Sequence, residues 1–410
     1  MSHARPHLPS AAVVREVGLR DGLQSIATVL ATEHKREWIR AAHAAGQREI
    51  EVGSFVPAKL MPQLADTAEV LAFAKTLPGL HASVLVPNLK GAERALEGGA
   101  DLLLVPLSAS HAHSLANLRK TPDEVVTELG RIRAARDASG SKTLIEGGVG
   151  TAFGCTIQGE VKVSEVLRLM QALLDAGADR VSLADTVGYA DPHSVSVLFE
   201  QALRIAGDRF ECGHFHDTRG LALANVCAAL QLGVSRFDAS LAGIGGCPHA
   251  PGASGNASTE DLAFMLGAMG VDTGIDIPAL LALRAKVAGW LAGEQTNGAL
   301  WRAGLPKTFQ PATLARNASN AGMFNPVSIP IASSMKARSS VLALPLAPGA
   351  CGQPPMPASE ASKRPTPSCS AACTLASARP RVSWRWPQQK RSPAIFSACS
   401  NRRLTEPGSA

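Results

Sequence analysis

Short apolar runs alternate with longer amphipathic segments along the first two thirds of the chain. Residues 13–17 form a β-branched run that ends at Gly-Leu-Arg-Asp-Gly (18–22). Thr32 then opens a segment with apolar residues at helical spacing, and Gly46 closes it. The same alternation predicts strands over 49–52, 82–86, 101–106, 143–146, 180–183, 210–216 and 237–240. Helices are predicted over 66–76, with Asp66 as N-cap, and over 89–96, 123–138, 163–176, 192–206, 221–232 and 259–269. The strands are short and apolar throughout, as expected for a parallel sheet covered by helices. Eight strand–helix units in about 260 residues fit a (β/α)8 TIM barrel, an α/β fold. An open doubly wound sheet is the alternative, but no Gly-x-Gly-x-x-Gly follows the first strand. Residues 275–305 add one or two helices beyond the barrel.

Composition divides the chain in two. Residues 311–410 hold 12 Lys/Arg against 2 Asp/Glu, and 14 of the 27 prolines. The basic balance therefore belongs to this stretch, and the preceding 310 residues are mildly acidic, which gives no footprint for nucleic acid. From about 310 onward neither helical nor strand period persists. The reading is a low-complexity basic tail, disordered or the product of a frameshift. Residues 1–11 read as a flexible terminus, and 12–309 as the barrel with its helical extension. No stretch of about 18 apolar residues suggests a membrane span, and the start lacks a signal-peptide core. Cys155, Cys212, Cys227 and Cys247 show no paired spacing, which suits reduced thiols and a cytoplasmic location.

In such a barrel, chemistry gathers at the C-terminal ends of the strands. The predicted ends carry Arg20 and Asp21, Glu51, Asp185, and the pair His214 and His216. Residues i and i+2 of a strand face the same way, so the two imidazoles can share one ion. Alone, the His-x-His pattern is more often two polar residues on a half-buried strand than a metal site. With Asp21 and Asn256 the donors become two nitrogens and two oxygens, a hard-leaning set suited to Mg2+ or Mn2+. Arg20 beside Asp21 is either a surface ion pair of little consequence or a cation placed where an enolate oxygen develops. The last strand leads into a Gly/Pro-rich loop, 241–260, with Cys247 at its centre.

Five segments carry a resemblance: REVGLRDGLQ (15–24), EVGSFV (51–56), SLADTVG (182–188), HFHDTRGLALAN (214–225) and LAGIGGCPHAPGASGNASTEDL (241–262). Together they resemble the hydroxymethylglutaryl-CoA lyase family, from about residue 12 to 309. The resemblance implies a metal-dependent retro-Claisen cleavage of 3-hydroxy-3-methylglutaryl-CoA to acetyl-CoA and acetoacetate. It also implies an acyl-CoA substrate, a homodimer, and no nucleic-acid or membrane partner. Carried onto this chain, it makes Asp21, His214, His216 and Asn256 the metal ligands. Arg20 would stabilise the enolate and Cys247 would protonate it, with Asp185 aiding proton transfer. Glu51 and Glu260 would orient Arg20 and the loop, and Gln24 would support the site. Departures from the family pattern fall at Arg219 and Leu221, at His249, at His111, and at Thr156-Ile157-Gln158. Ser54, His111, Arg219 and His249 are the candidates for shaping the acyl pocket, so a related 3-hydroxyacyl-CoA is an alternative substrate. A condensing synthase of the isopropylmalate or homocitrate type shares the barrel, Arg-Asp and His-x-His, but not the Gly-Gly-Cys-Pro loop. A metal-binding barrel without activity is the remaining alternative.

Overall fold

Eight parallel strands close into a barrel in sequence order, β1 to β8, with β8 paired back onto β1. The computed structural model describes residues 8–246 and 254–309. The strands are β1 Val13–Glu16, β2 Glu49–Ser54, β3 His81–Leu85, β4 Leu102–Ser108, β5 Leu144–Gly150, β6 Arg180–Asp185, β7 Phe210–Phe215 and β8 Arg236–Ala239. Between them run α1 Thr32–Ala44, α2 Thr67–Ala74, α3 Leu89–Glu97, α4 His111–Leu118, α5 Pro122–Ala138, α6 Val163–Asp175, α7 Pro192–Ala206 and α8 Ala222–Gln231. After β8 come α9 Thr259–Ala268, α10 Ile277–Trp290 and α11 Ala299–Ala303. The eight predicted units are all present. Cys247, His249 and the tail from 310, for which the sequence carries expectations, lie outside the described residues.

Strand residues such as Ile50, Val84, Leu103, Ile145, Val181 and Phe237 are fully buried, and so are Ile39, Val70, Leu129, Leu169 and Phe199 on the surrounding helices. One continuous core joins them. No helix among the described residues is long and apolar enough to cross a membrane.

Tertiary contacts override several local expectations. Asp66 stands at the N-cap of α2 but makes no capping bond. Its carboxylate instead takes Lys35 Nζ at 2.5 Å and the Thr32 hydroxyl at 2.8 Å, tying α1 to α2. Thr32 is thus spent on a neighbouring element, and Ala31 caps α1 without a side-chain bond. A helix absent from the predicted elements, α4, follows β4, and the Ser110 hydroxyl starts it by accepting from His113 N–H. Most consequential for the site, Gly18–Gly22 is one π-helical turn rather than a plain strand end. Such wide turns concentrate at functional sites. Here it buries Arg20 and Asp21 together at the mouth.

Candidate metal and catalytic site at the barrel mouth

The π turn after β1 projects Asp21 towards the two histidines from β7. Asp21 Oδ2 lies 3.6 Å from His214 Nε2 and 3.4 Å from His216 Nε2. The imidazole centroids are 5.1 Å apart, on the same face as their i, i+2 spacing requires. His216 stands one residue past β7 and bridges Asn256, which brings the far end of the 241–260 loop into the site. The Asn256 amide donates to Asp21 Oδ2 at 2.6 Å. The other Asp21 oxygen, Oδ1, accepts from Arg20 Nη1 at 2.7 Å and Gln24 Nε2 at 2.6 Å.

All four candidate ligands are buried. Burial opposes ionisation of Asp21, but Arg20 and the two histidines hold its carboxyl well below the usual carboxylate range. The donor set suits a divalent cation. It offers one ionised carboxylate and two imidazole Nε2 atoms that converge on it. The Asn256 carbonyl oxygen is buried and has no hydrogen-bond partner, which leaves an oxygen lone pair free on the same amide.

Arg20 is nine-tenths buried, which excludes the surface ion pair. Its Nε lies 2.8 Å from Glu51 Oε2, so the guanidinium is pinned between Asp21 and Glu51. Burial pushes the Glu51 carboxyl up, with Arg20 opposing. Asp185 at the end of β6 accepts from the backbone N–H groups of Tyr189 at 2.8 Å and Ala190 at 3.1 Å. Burial raises its carboxyl above the ordinary value, although those bonds and the histidines pull the other way. A buried carboxyl with a raised pKa beside a metal-type triad is suited to exchanging protons.

Glu260 stands in the first turn of α9, on the loop side of the site. It accepts from Ala242 N–H at 3.1 Å and from Arg284 Nε at 2.6 Å, so it ties the start of the loop to α10. Ala242 takes a left-handed conformation, φ 62°, where a non-glycine residue needs such support. Ser54 is buried at the end of β2, and its hydroxyl accepts from Val56 N–H at 3.3 Å. His111 is exposed on the first turn of α4. Arg219 donates to the carbonyls of Val187 at 3.1 Å and Gly188 at 2.8 Å, and its guanidinium stacks 4.6 Å from the Tyr189 ring. It therefore latches the loop after β7 onto the loop that holds Asp185. Gln158 accepts from the Ser110 hydroxyl and Ala112 N–H, which joins the loop after β5 to α4.

A layer of charge beneath the triad escaped sequence reading. Asp238 on β8 accepts from His214 Nδ1 at 2.9 Å. That bond turns Nε2 towards Asp21, the arrangement by which a carboxylate orients a metal-ligating imidazole. Arg15 on β1 grips the same carboxylate and also Glu146 on β5, which in turn accepts from Ser182 Oγ at 2.6 Å. The available signal was charge inside apolar strand runs: Arg15 and Glu16 in Val-Val-Arg-Glu-Val, Glu146 in Leu-Ile-Glu-Gly and Asp238 in Arg-Phe-Asp-Ala. Glu16 was missed for the same reason. It is fully buried and accepts from Gly18 N–H, Leu241 N–H and the Thr259 hydroxyl.

Residues 12–287 match the family model described as HMGL-like. A hydroxymethylglutaryl-CoA lyase of Bacillus subtilis is 40% identical over 275 residues, covering 67% of this chain and 91% of that protein. One from Pseudomonas mevalonii is 38% identical over 279 residues, covering 68% and 92%. Among solved structures, an HMG-CoA lyase from Acinetobacter baumannii in complex with coenzyme A and 3-methylmalate is 40% identical, with a TM-score of 0.69. That match covers 74% of this chain and 98% of the other. With a family match that runs through the whole described barrel, this chain belongs to the HMGL-like family.

Proposed function

We propose that the barrel is a divalent-metal-dependent carbon–carbon lyase that cleaves 3-hydroxy-3-methylglutaryl-CoA to acetyl-CoA and acetoacetate. The convergence of Asp21, His214 and His216 at the mouth, with Arg20 bonded to Asp21, is the observation that carries this reading. The relatives support it: proteins up to 40% identical are hydroxymethylglutaryl-CoA lyases. Coenzyme A in the similar Acinetobacter baumannii structure supports an acyl-CoA substrate.

Asp21, His214, His216 and Asn256 would hold the cation, Mg2+ or Mn2+. When bound, it supplies Lewis acidity that polarises the substrate's hydroxyl and carboxylate oxygens. The rest of the chemistry falls to side chains of this chain. A base takes the proton of the tertiary hydroxyl, and its electrons form the ketone of acetoacetate as the C2–C3 bond breaks. The bond's electron pair stays on C2, alpha to the thioester carbonyl, giving an enolate that takes up one proton at C2 to become acetyl-CoA. Asp185 is the carboxyl placed to handle protons there. Arg20 is held by Glu51 and Asp21 with its charge fixed in advance, as an enolate requires. Cys247 is the acid that the family resemblance assigns. A cytoplasmic homodimer completes the reading.

The test is acetyl-CoA release from 3-hydroxy-3-methylglutaryl-CoA with Mg2+ or Mn2+ and with a chelator. Cleavage that requires metal and is lost in His214→Ala and Cys247→Ala is expected. Metal binding without cleavage would instead favour a different 3-hydroxyacyl-CoA. The Arg219 latch onto the Asp185 loop is the observation that keeps this second reading open.

A further inference from the structure

Arg15 is 2% exposed and touches no candidate ligand, yet it sits one residue removed from the triad. Its Nε donates to Asp238 Oδ1 at 2.7 Å and its Nη2 to Oδ2 at 3.1 Å, a two-point grip on one carboxylate. The register of the barrel builds this contact, since Arg15 and Asp238 are direct partners in the β1–β8 ladder. On its other edge Arg15 holds Glu146, with Nη1 to Oε2 at 2.8 Å and Nη2 to Oε1 at 3.1 Å. Glu146 is fixed in turn by Ser182. The guanidinium thus spans the interior from β8 to β5. A carboxylate gripped at both oxygens cannot rotate, and Asp238 Oδ2 is the atom that His214 Nδ1 faces at 2.9 Å.

We propose that Arg15, anchored by Glu146, is a positioning residue for the metal site. It locks Asp238, Asp238 fixes the tautomer and ring angle of His214, and His214 Nε2 is thereby aimed at Asp21. This inference rests on the reading of Asp21, His214 and His216 as metal ligands. It opposes a simple Coulomb expectation. Removing a positive charge near a cation site should tighten cation binding, whereas removing a positioning group should weaken it.

The experiment measures Mn2+ affinity of the full chain by the electron paramagnetic resonance of free Mn2+. Arg15→Met is expected to weaken binding about tenfold, in the range typical of groups that orient metal ligands. Glu146→Gln keeps a carbonyl oxygen to accept from Arg15, so both anchor and grip on Asp238 persist, and affinity is expected to change by less than about threefold. Lys35→Met breaks the ion pair between buried Lys35 on α1 and half-buried Asp66, a pair whose other bonds run to Gln63 and Thr32 and not to the triad, and is expected to lower stability while leaving Mn2+ affinity unchanged. Should Arg15→Met fail to fold, the double variant Arg15→Gln/Glu146→Gln removes both charges of that pair, leaves two amides able to bond each other, abolishes the two-point grip on Asp238, and is expected to show the same weakening. Unchanged or tighter Mn2+ binding in a folded Arg15 variant overturns the inference alone. Absence of Mn2+ binding by the unaltered protein overturns the metal reading and this inference with it.

Discussion

Glu16 offers a quantitative test of how the barrel mouth is held together. Its carboxyl is fully buried at the end of β1 and bonds to three points, Gly18, Leu241 and Thr259. Burial pushes it up from 4.5 to about 7, although the three bonds pull it back. The native state therefore holds this proton more tightly than the unfolded chain does. Its contribution to stability is complete below pH 4.5, falls as pH rises to about 7, and is flat above. A rise of this size corresponds to about 3 kcal/mol between the two plateaus. A glutamine at this position would reproduce the neutral acid, because its carbonyl can accept from Gly18 and Leu241 while its amide donates to Thr259 Oγ1. Glu16→Gln is thus expected to match the unaltered protein at pH 4.5 and to exceed it by up to about 3 kcal/mol at pH 8. Urea unfolding of both proteins at half-unit pH steps measures the difference directly. A gap between the two that fails to widen from pH 4.5 to 8 would refute the reasoning, as would a variant less stable at pH 8.

Three further outcomes follow from the same geometry. Arg20→Gln removes the fixed charge between Asp21 and Glu51, and is expected to lower kcat about 100- to 1,000-fold while the protein still binds Mn2+. Steady-state rates beside Mn2+ titration check both halves. Gly18→Ala places a methyl group 2.4 Å from Glu16 Oε1 and 2.8 Å from Trp38 Cζ2, and is expected to cost about 1–3 kcal/mol by urea unfolding. Arg219→Tyr releases the carbonyls of Val187 and Gly188, and is expected to shift the ratio of kcat/KM between competing 3-hydroxyacyl-CoA substrates about tenfold. Its Mn2+ affinity should stay as in the unaltered protein, which separates a pocket effect from damage to the metal site.

What the sequence made legible follows from how each feature is encoded. The strand–helix alternation depends on local apolar periodicity, so all eight units and the barrel could be read from it. His214 and His216 were legible because a two-residue spacing alone puts both on one face. Asp21 and Arg20 were visible as residues, but the π turn that buries them was not, since nothing in Gly-Leu-Arg-Asp-Gly distinguishes a wide turn from a tight one. Asp66 shows the reverse error: a good local cap was predicted, and a lysine and a threonine from another helix claimed its carboxylate. Arg15, Glu146 and Asp238 were illegible for a stronger reason. Each is unfavourable in an apolar strand by itself, and only barrel closure, which brings together residues 15, 146 and 238, supplies the partners that make burial tolerable.

That closure also separates two tasks that a single site must perform. The groups that the proposed function assigns to the cation and the enolate lie inside the barrel, where Arg15 bonds Asp238 and Glu146, and Arg20 bonds Asp21 and Glu51. Removal of either arginine leaves two buried carboxylates without their counterpart, a cost of several kcal/mol. The residues that depart from the family pattern among the described positions stand elsewhere. Arg219 and His111 are exposed, Leu221 is 37% exposed and Ile157 48%, and the Arg219 contacts run to a neighbouring loop. Substitution there costs little stability, because exposed groups lose little on replacement. The loops are therefore free to reshape the entrance while the charge network below cannot change piecemeal. In this architecture a new acyl group would be accommodated by residues such as Arg219 and Gln158, with the carbon–carbon cleavage chemistry beneath them kept intact.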